Sequence, residues 1–289
     1  MVELSYLQAI VIGVLQGATE LFPVSSLGHS ILIPALIGGS WSHLVTESVS
    51  QHSEGSSYLA FIVALHVATA LALILFYWKT WQKLLVAFVR TVVRWKIETS
   101  DERLIWLLII ATIPVGILGL LLEHSFRTLF AKPLAAAIFL TINGIILFVG
   151  EQLRKHRETK VNTTLAHLTY LEAGTIGTFQ TLALLAGISR SGIAMVGGLI
   201  RGLSHEDATN FSFLMATPVI LAAGLLKLPE LLSPAGASIH GQVVVGAIAA
   251  GIAAYVSARF LTKYFETRTL TPFALYCVVV GLFCIVRFA

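Results

Sequence analysis

Apolar residues run almost unbroken through six stretches of the chain, approximately 57–78, 104–122, 133–151, 208–229, 241–262 and 271–288. Each comes close to the roughly 20 residues a helix needs to cross a hydrocarbon layer about 30 Å thick, so each predicts a transmembrane helix. Two further regions, 4–38 and 170–202, are as apolar but are interrupted midway, by FPVSSLGH in the first and LAGISRSG in the second. Irregular backbone survives at membrane depth only where protein or a wet cavity covers it. The pattern therefore predicts two re-entrant helical hairpins, with one kinked crossing helix in each region as the alternative.

The interrupted regions also match one another. With Gln16 set on Gln180, an offset of 164, Ser25 falls on Ser189 and Gly28 on Gly192. Three crossing segments follow each hairpin, and an odd number of crossings inverts the second unit relative to the first. The expected fold is an all-α polytopic membrane protein, with six transmembrane helices and two re-entrant hairpins in an inverted-topology repeat. It forms a single integral membrane domain over 1–289, with repeat 1 at about 1–155 and repeat 2 at about 165–289.

Composition sharpens this picture. Hydrophobic residues make up 56% of the 289, charged ones 12%, and mean hydropathy is +0.86. A water-soluble fold of that composition would expose apolar patches beyond what a soluble monomer tolerates. Fourteen of the 19 Lys and Arg residues fall in 79–103, 152–170, 201–207 and 259–270. Read as loops, these segments share one side, which the positive-inside rule makes cytoplasmic, with both termini outside. The net charge of +4 thus belongs to membrane-facing loops and does not imply nucleic acid. The stretch 39–56 reads as a polar external loop. Glu3 stands where a basic leader region would begin, so insertion is expected to rely on the first helices themselves. Cys277 and Cys284 are seven apart on one helix face, too distant to pair, and read as packing residues. Small residues at 116–119, 192–202 and 245–253 suit close helix contacts.

Charged groups are costly at this depth, roughly 2.5–3.5 kcal/mol each on insertion scales. Glu20, His29 and Arg190 are candidates for chemistry for that reason. Gln16 and Glu20 are four apart and share a helix face. Beyond Pro23, where the first half-helix must stop, Ser25, Ser26, Gly28 and His29 open a second one, with Ser26 and His29 able to reach one ligand. In SRSG, Arg190 lies between Ser189 and Ser191, with Gly192 next, ahead of a small-residue half-helix. A helix start offers free N–H groups to an anion, and the guanidinium adds a planar fork for phosphate oxygens. N-capping by the serines, a packing role for His29 and a structural Glu20–Arg190 ion pair are the competing readings. His66 reads equally as a packing histidine or as a partner of a loop residue. Glu123, His124, His205 and Glu206 read as interfacial.

The segments LQGATELFPVSSLGH and FQTLALLAGISRSG resemble the two signature regions of bacterial undecaprenyl-diphosphate phosphatases, also called bacitracin-resistance proteins. The likeness extends through LHVATALALILFYW, IATIPVGILGLLLE and NFSFLMATPVILAAGLLKL. It implies a hydrolase of the bacterial cytoplasmic membrane that removes the terminal phosphate of undecaprenyl diphosphate at the outer face and recycles the carrier lipid for peptidoglycan and cell-wall synthesis, cell shape and bacitracin resistance. It also implies that Gln16 and Glu20 are an (E/Q)xxxE pair for a divalent cation, Mg²⁺ or Ca²⁺, and that Ser26 and His29 are nucleophile or base. Arg190 then binds phosphate between the hydroxyls of Ser189 and Ser191, with Ser25, Gly28 and Gly192 lining the substrate. Ala186, Ile188 and Ala194 depart from the family's usual Pro, Thr and Thr. The expected partners are a polyprenyl diphosphate lipid and the membrane, with a homodimer left open. The rival class is a transporter or flippase for an anionic lipid or organic phosphate, because mirrored broken helices also hold anions in transporters.

Overall fold

A computed structural model describes residues 4–42, 57–130, 132–156, 164–231 and 239–289. All of its regular structure is helical among the described residues. The predicted spans appear as α3 (Ser57–Phe76), α5 (Ser100–Phe130), α6 (Pro133–Lys155), α9 (His205–Leu231), α10 (His240–Tyr264) and α11 (Thr271–Phe288). Five of the six are long and apolar enough to cross a membrane unaided, and α3 is the first part of a bent pair. Helix starts follow local chemistry: Pro133 opens α6, where its missing N–H costs nothing, and Pro272 does the same for α11.

Each interrupted region forms two short helices. The first gives α1 (Tyr6–Leu21) and α2 (Ser26–Ile37); the second gives α7 (Tyr170–Phe179), a 3₁₀ turn over Gln180–Leu184, and α8 (Arg190–Ile200). At 1.5 Å per residue the longest, α1 with 16 residues, reaches about 24 Å, short of a crossing. The arms of each pair pack on one another, so their broken ends lie inside the protein. Capping boxes start both first arms, Ser5 with Gln8 and Thr169 with Glu172.

Packing between the halves is exchanged. Arm α1 lies on α10, and arm α7 lies on α5. Equivalent glycines permit both contacts. A Cβ on Gly13 would stand 2.4 Å from the Gly246 carbonyl oxygen, and one on Gly177 would stand 2.1 Å from that of Ala111. These two glycines are separated by the same offset of 164 that relates the loops. Spans α6 and α11 pack side by side, as do α3 with α9 and α10.

Three expectations need correction. Segment 79–103 is not a loop throughout, because Trp78–Arg94 forms helix α4, bent 86° from α3. Its exposed valines and leucines alternate with basic residues, and the charge count hid an amphipathic period. Gly116 and Gly119 do not serve close packing; nothing among the described residues lies within 4 Å of a Cβ on either. His205 is buried, with Nε2 2.8 Å from Glu151 Oε2, so it is a partner of α6 and not an interfacial group. The buried thiols of Cys277 and Cys284 are free, as the spacing requires. Most of 39–56, together with the side chains of Glu123 and His124, lies outside the described residues.

The close approach of α1 to α10 yields a contrast between two glycines. A Cβ on Gly17 would stand 2.1 Å from the Ala250 carbonyl oxygen. Gly17→Ala should lower the unfolding midpoint in detergent, at a cost of about 1–3 kcal/mol. Gly119→Ala should leave the midpoint unchanged or raise it, and equal losses in the two variants would contradict the packing.

Candidate functional site

Where the two loops meet, hydrogen bonds join them. Ser25 caps α2, its Oγ accepting from the Gly28 N–H at 3.2 Å, and Ser189 caps α8 in the same way through the Gly192 N–H at 3.1 Å. The serines also cross between loops. Ser25 Oγ accepts from the Gly187 N–H at 3.2 Å, and the hydroxyls of Ser189 and Ser191 donate to the Phe22 carbonyl at 3.5 and 3.2 Å. The turn is tight enough to hold Ser25 at φ +71, a left-handed conformation that a non-glycine residue seldom adopts. Gly187, at φ +112, meets α6 so closely that a Cβ would stand 2.4 Å from the Ala136 carbonyl oxygen.

Asn143, midway along α6, fastens the loops together. Its amide donates to the Pro23 carbonyl at 3.0 Å, and its oxygen accepts from the Ser189 N–H at 2.9 Å. Sequence reasoning passed over it. The available signal was a lone amide in the apolar run LAAAIFLTINGIILFVG, a placement that needs partners inside the protein.

Glu20 is the centre of the site. Its Oε1 accepts from Arg190 Nη2 at 2.7 Å, and its Oε2 accepts from Ser26 Oγ at 2.5 Å and Gln16 Nε2 at 3.0 Å. His66 Nε2 lies 3.4 Å from the same Oε2. One buried carboxylate thus gathers groups from α1, α2, α3 and α8. Gln16 Oε1 is buried without a hydrogen-bond partner.

The two histidines differ from their sequence roles. His29 is buried, and its Nδ1–H donates to the Ser25 carbonyl at 2.7 Å, since a carbonyl only accepts. Its Nε2 lies 2.8 Å from the Tyr276 hydroxyl, and the two rings stack. The structure therefore brings no hydrogen bond between His29 and Ser26. His66 stands at the carboxylate instead, with its Nδ1–H donating to the Ile62 carbonyl at 2.8 Å. Gln180, the counterpart of Gln16, binds the Ala111 carbonyl and the Met215 sulfur, so the repeated glutamines do unlike work.

Two N–H groups at the start of each second arm, those of Ser26 and Leu27 and those of Arg190 and Ser191, make no hydrogen bond among the described residues. With the guanidinium beside them they can receive an anion, the positive ends of two helix dipoles adding to the attraction. Ser25, Ser189 and Ser191 hold the loops to one another, and Ser26 is the hydroxyl directed at the carboxylate.

Fold and site together define a multi-pass, all-helical membrane protein with one buried, charge-paired hydroxyl site between two broken helices. The profile of the family described as bacitracin resistance protein BacA matches residues 9–283, and the chain belongs to that family. It is 58% identical to undecaprenyl-diphosphatase 2 of Frankia alni over 99% of both chains. It is 53% identical to the undecaprenyl-diphosphatase of Mycolicibacterium paratuberculosis over 96% of both chains, and 42% identical to that of Granulibacter bethesdensis over 97% of this chain and 96% of the other.

Replacing Asn143 by Leu would leave the Ser189 N–H without a partner among the described residues and the Pro23 carbonyl with only the weak Cys277 thiol at 3.8 Å. The unpaired N–H should cost about 1–3 kcal/mol of stability. The check is thermal unfolding of the purified protein in detergent, where a wild-type midpoint for Asn143→Leu would rule out the fastening role.

Proposed function

We propose that this chain removes the terminal phosphate of undecaprenyl diphosphate, releasing undecaprenyl phosphate and inorganic phosphate and returning the carrier lipid to cell-wall synthesis. The observation that carries this reading is the arrangement Ser26–Glu20–Arg190, in which a hydroxyl donates a hydrogen bond to a carboxylate whose other oxygen holds a guanidinium. Anion binding alone would need only the guanidinium and the free N–H groups. The hydroxyl–carboxylate pair, together with the hydrolase names of the relatives, favours an enzyme over a flippase.

In this reading the diphosphate lies across the starts of α2 and α8. Arg190 keeps one nitrogen on Glu20 and turns its remaining N–H groups to phosphate oxygens. Ser26 Oγ attacks the terminal phosphorus while its proton passes to Glu20 Oε2, and the bond from that phosphorus to the bridging oxygen breaks, releasing the lipid monophosphate. Water then attacks the phosphoserine, Glu20 returns the proton to Ser26 Oγ, and inorganic phosphate leaves. His29 supports the turn by holding the Ser25 carbonyl, so that Ser26 is presented to Glu20.

The residues suit a divalent cation. Gln16 Oε1 is a buried oxygen without a partner beside the Glu20 carboxylate, and hard cations such as Mg²⁺ or Ca²⁺ take oxygen donors. Among the described residues no three acidic, histidine or cysteine side chains cluster, so substrate oxygens and water would complete the shell around Glu20 and Gln16. A bound cation would spread the charge of the phosphates. The proposal further assigns the protein to the bacterial cytoplasmic membrane as one domain of two inverted repeats. The fourteen basic residues on one side support both termini outside and a site open to the outer face.

The test is phosphate release from undecaprenyl diphosphate by the purified protein in detergent, with and without a chelator. Release should require the cation, and no release in Mg²⁺ or Ca²⁺ would sink the proposal. Arg190→Lys keeps the charge and loses the fork, and turnover should fall roughly a hundredfold or more. Ser26→Ala should abolish release, while near-full turnover in that variant would transfer attack to water.

A further inference from the structure

Helix α4 carries more than a connection between spans. At 3.6 residues per turn its surface divides into three sectors. Leu84, Ala87 and Thr91 are buried against the protein. Trp78, Leu85, Val89, Val92 and Val93 are exposed along a second sector. Lys79, Lys83, Arg90 and Arg94 are exposed along the third. Helix α4 is turned 86° from α3, and where α3 crosses a bilayer such a helix sets its exposed apolar sector against acyl chains and its basic sector at headgroup level.

The basic sector is unbalanced. No acidic residue occurs between Trp78 and Arg94, and Arg90 and Arg94 are four apart, where like charges on a helix repel. Neither makes an ion pair with a carboxylate among the described residues. Glu102, whose field reaches Arg90, has its Oε2 engaged by the N–H groups of Glu98 and Thr99. Asp101 lines the neighbouring polar groove with Lys83 and Arg90, leaving Arg94 without an acidic neighbour there. Between the two arginines and the apolar sector runs an open groove of about 510 Å³, lined by Leu85, Val86, Val89, Arg90, Val93 and Arg94. Its lining is almost wholly hydrocarbon, the side chains of Arg90 and Arg94 forming one edge.

We propose that this groove on α4 binds an anionic phospholipid of the leaflet on which the helix lies, with the acyl chain along Leu85, Val89 and Val93 and the phosphodiester between Arg90 and Arg94. Charge complementarity selects this occupant. A second copy of the same surface would bring four guanidiniums together, and a zwitterionic lipid would leave the excess positive charge uncompensated. The groove is formed by α4 alone and takes no part from Glu20, Ser26 or Arg190, so occupancy is independent of the reaction.

The full-length protein in detergent, titrated with phosphatidylglycerol or with phosphatidylcholine of the same chains and read by native mass spectrometry, tests this. Phosphatidylglycerol should bind more tightly. The double variant R90Q/R94Q should weaken it roughly 30-fold, about fivefold for each basic residue removed at a membrane surface, with phosphatidylcholine binding unchanged. The double variant R90K/R94K should retain most of the binding, which separates loss of charge from loss of fold. Equal affinity for the two lipids, wild-type binding by R90Q/R94Q, or disulfide cross-linking of Val89→Cys between two copies in vesicles would overturn the proposal.

Discussion

A carboxylate inside a membrane-embedded fold must be surrounded by donors, and Glu20 collects them from four helices. Its permanently charged partner, Arg190, belongs to the other half of the chain. Removing one member of such a buried pair leaves the other charge uncompensated, at a cost of about 3–5 kcal/mol. The requirement explains why both apolar regions are broken. A helix start presents Ser26 and Arg190 at that depth with free N–H groups beside them, while the serine caps and Asn143 bond the N–H groups of Gly28, Gly192 and Ser189. The carboxylate that holds the halves together is also the acceptor of the Ser26 hydroxyl.

Much of this was legible along the chain because lipid imposes simple rules. The six spans follow from apolar length alone, and the offset of 164 located two caps that the structure forms with the same atoms, Ser25 to Gly28 and Ser189 to Gly192. What stayed hidden were contacts made across the sequence. Asn143, Tyr276 and His66 gain meaning only from partners on other helices. His29 and His66 show this most clearly. Proximity in sequence favoured His29 as the companion of Ser26, but the turn at Ser25 aims its ring at Tyr276, and a crossing helix brings His66 to the carboxylate instead.

The charge rule misled in one place. Counting Lys79, Lys83, Arg90 and Arg94 as loop residues grouped them by charge but missed their helical shape. A surface helix satisfies the same rule while keeping its valines against acyl chains, so charge density and helical period have to be read together in segments that border a span.

The exchanged packing of the short arms bears on how the protein is made. Arm α1 leaves the ribosome well before α10, the glycine-lined surface on which it rests. Until that span has been inserted, the N-terminal arm has no permanent seat, and Glu20 has no guanidinium, because Arg190 also follows later. A truncated or half-synthesised chain therefore cannot assemble the charged centre. The charged centre comes together only after α8 and α10 have followed α1 into the bilayer.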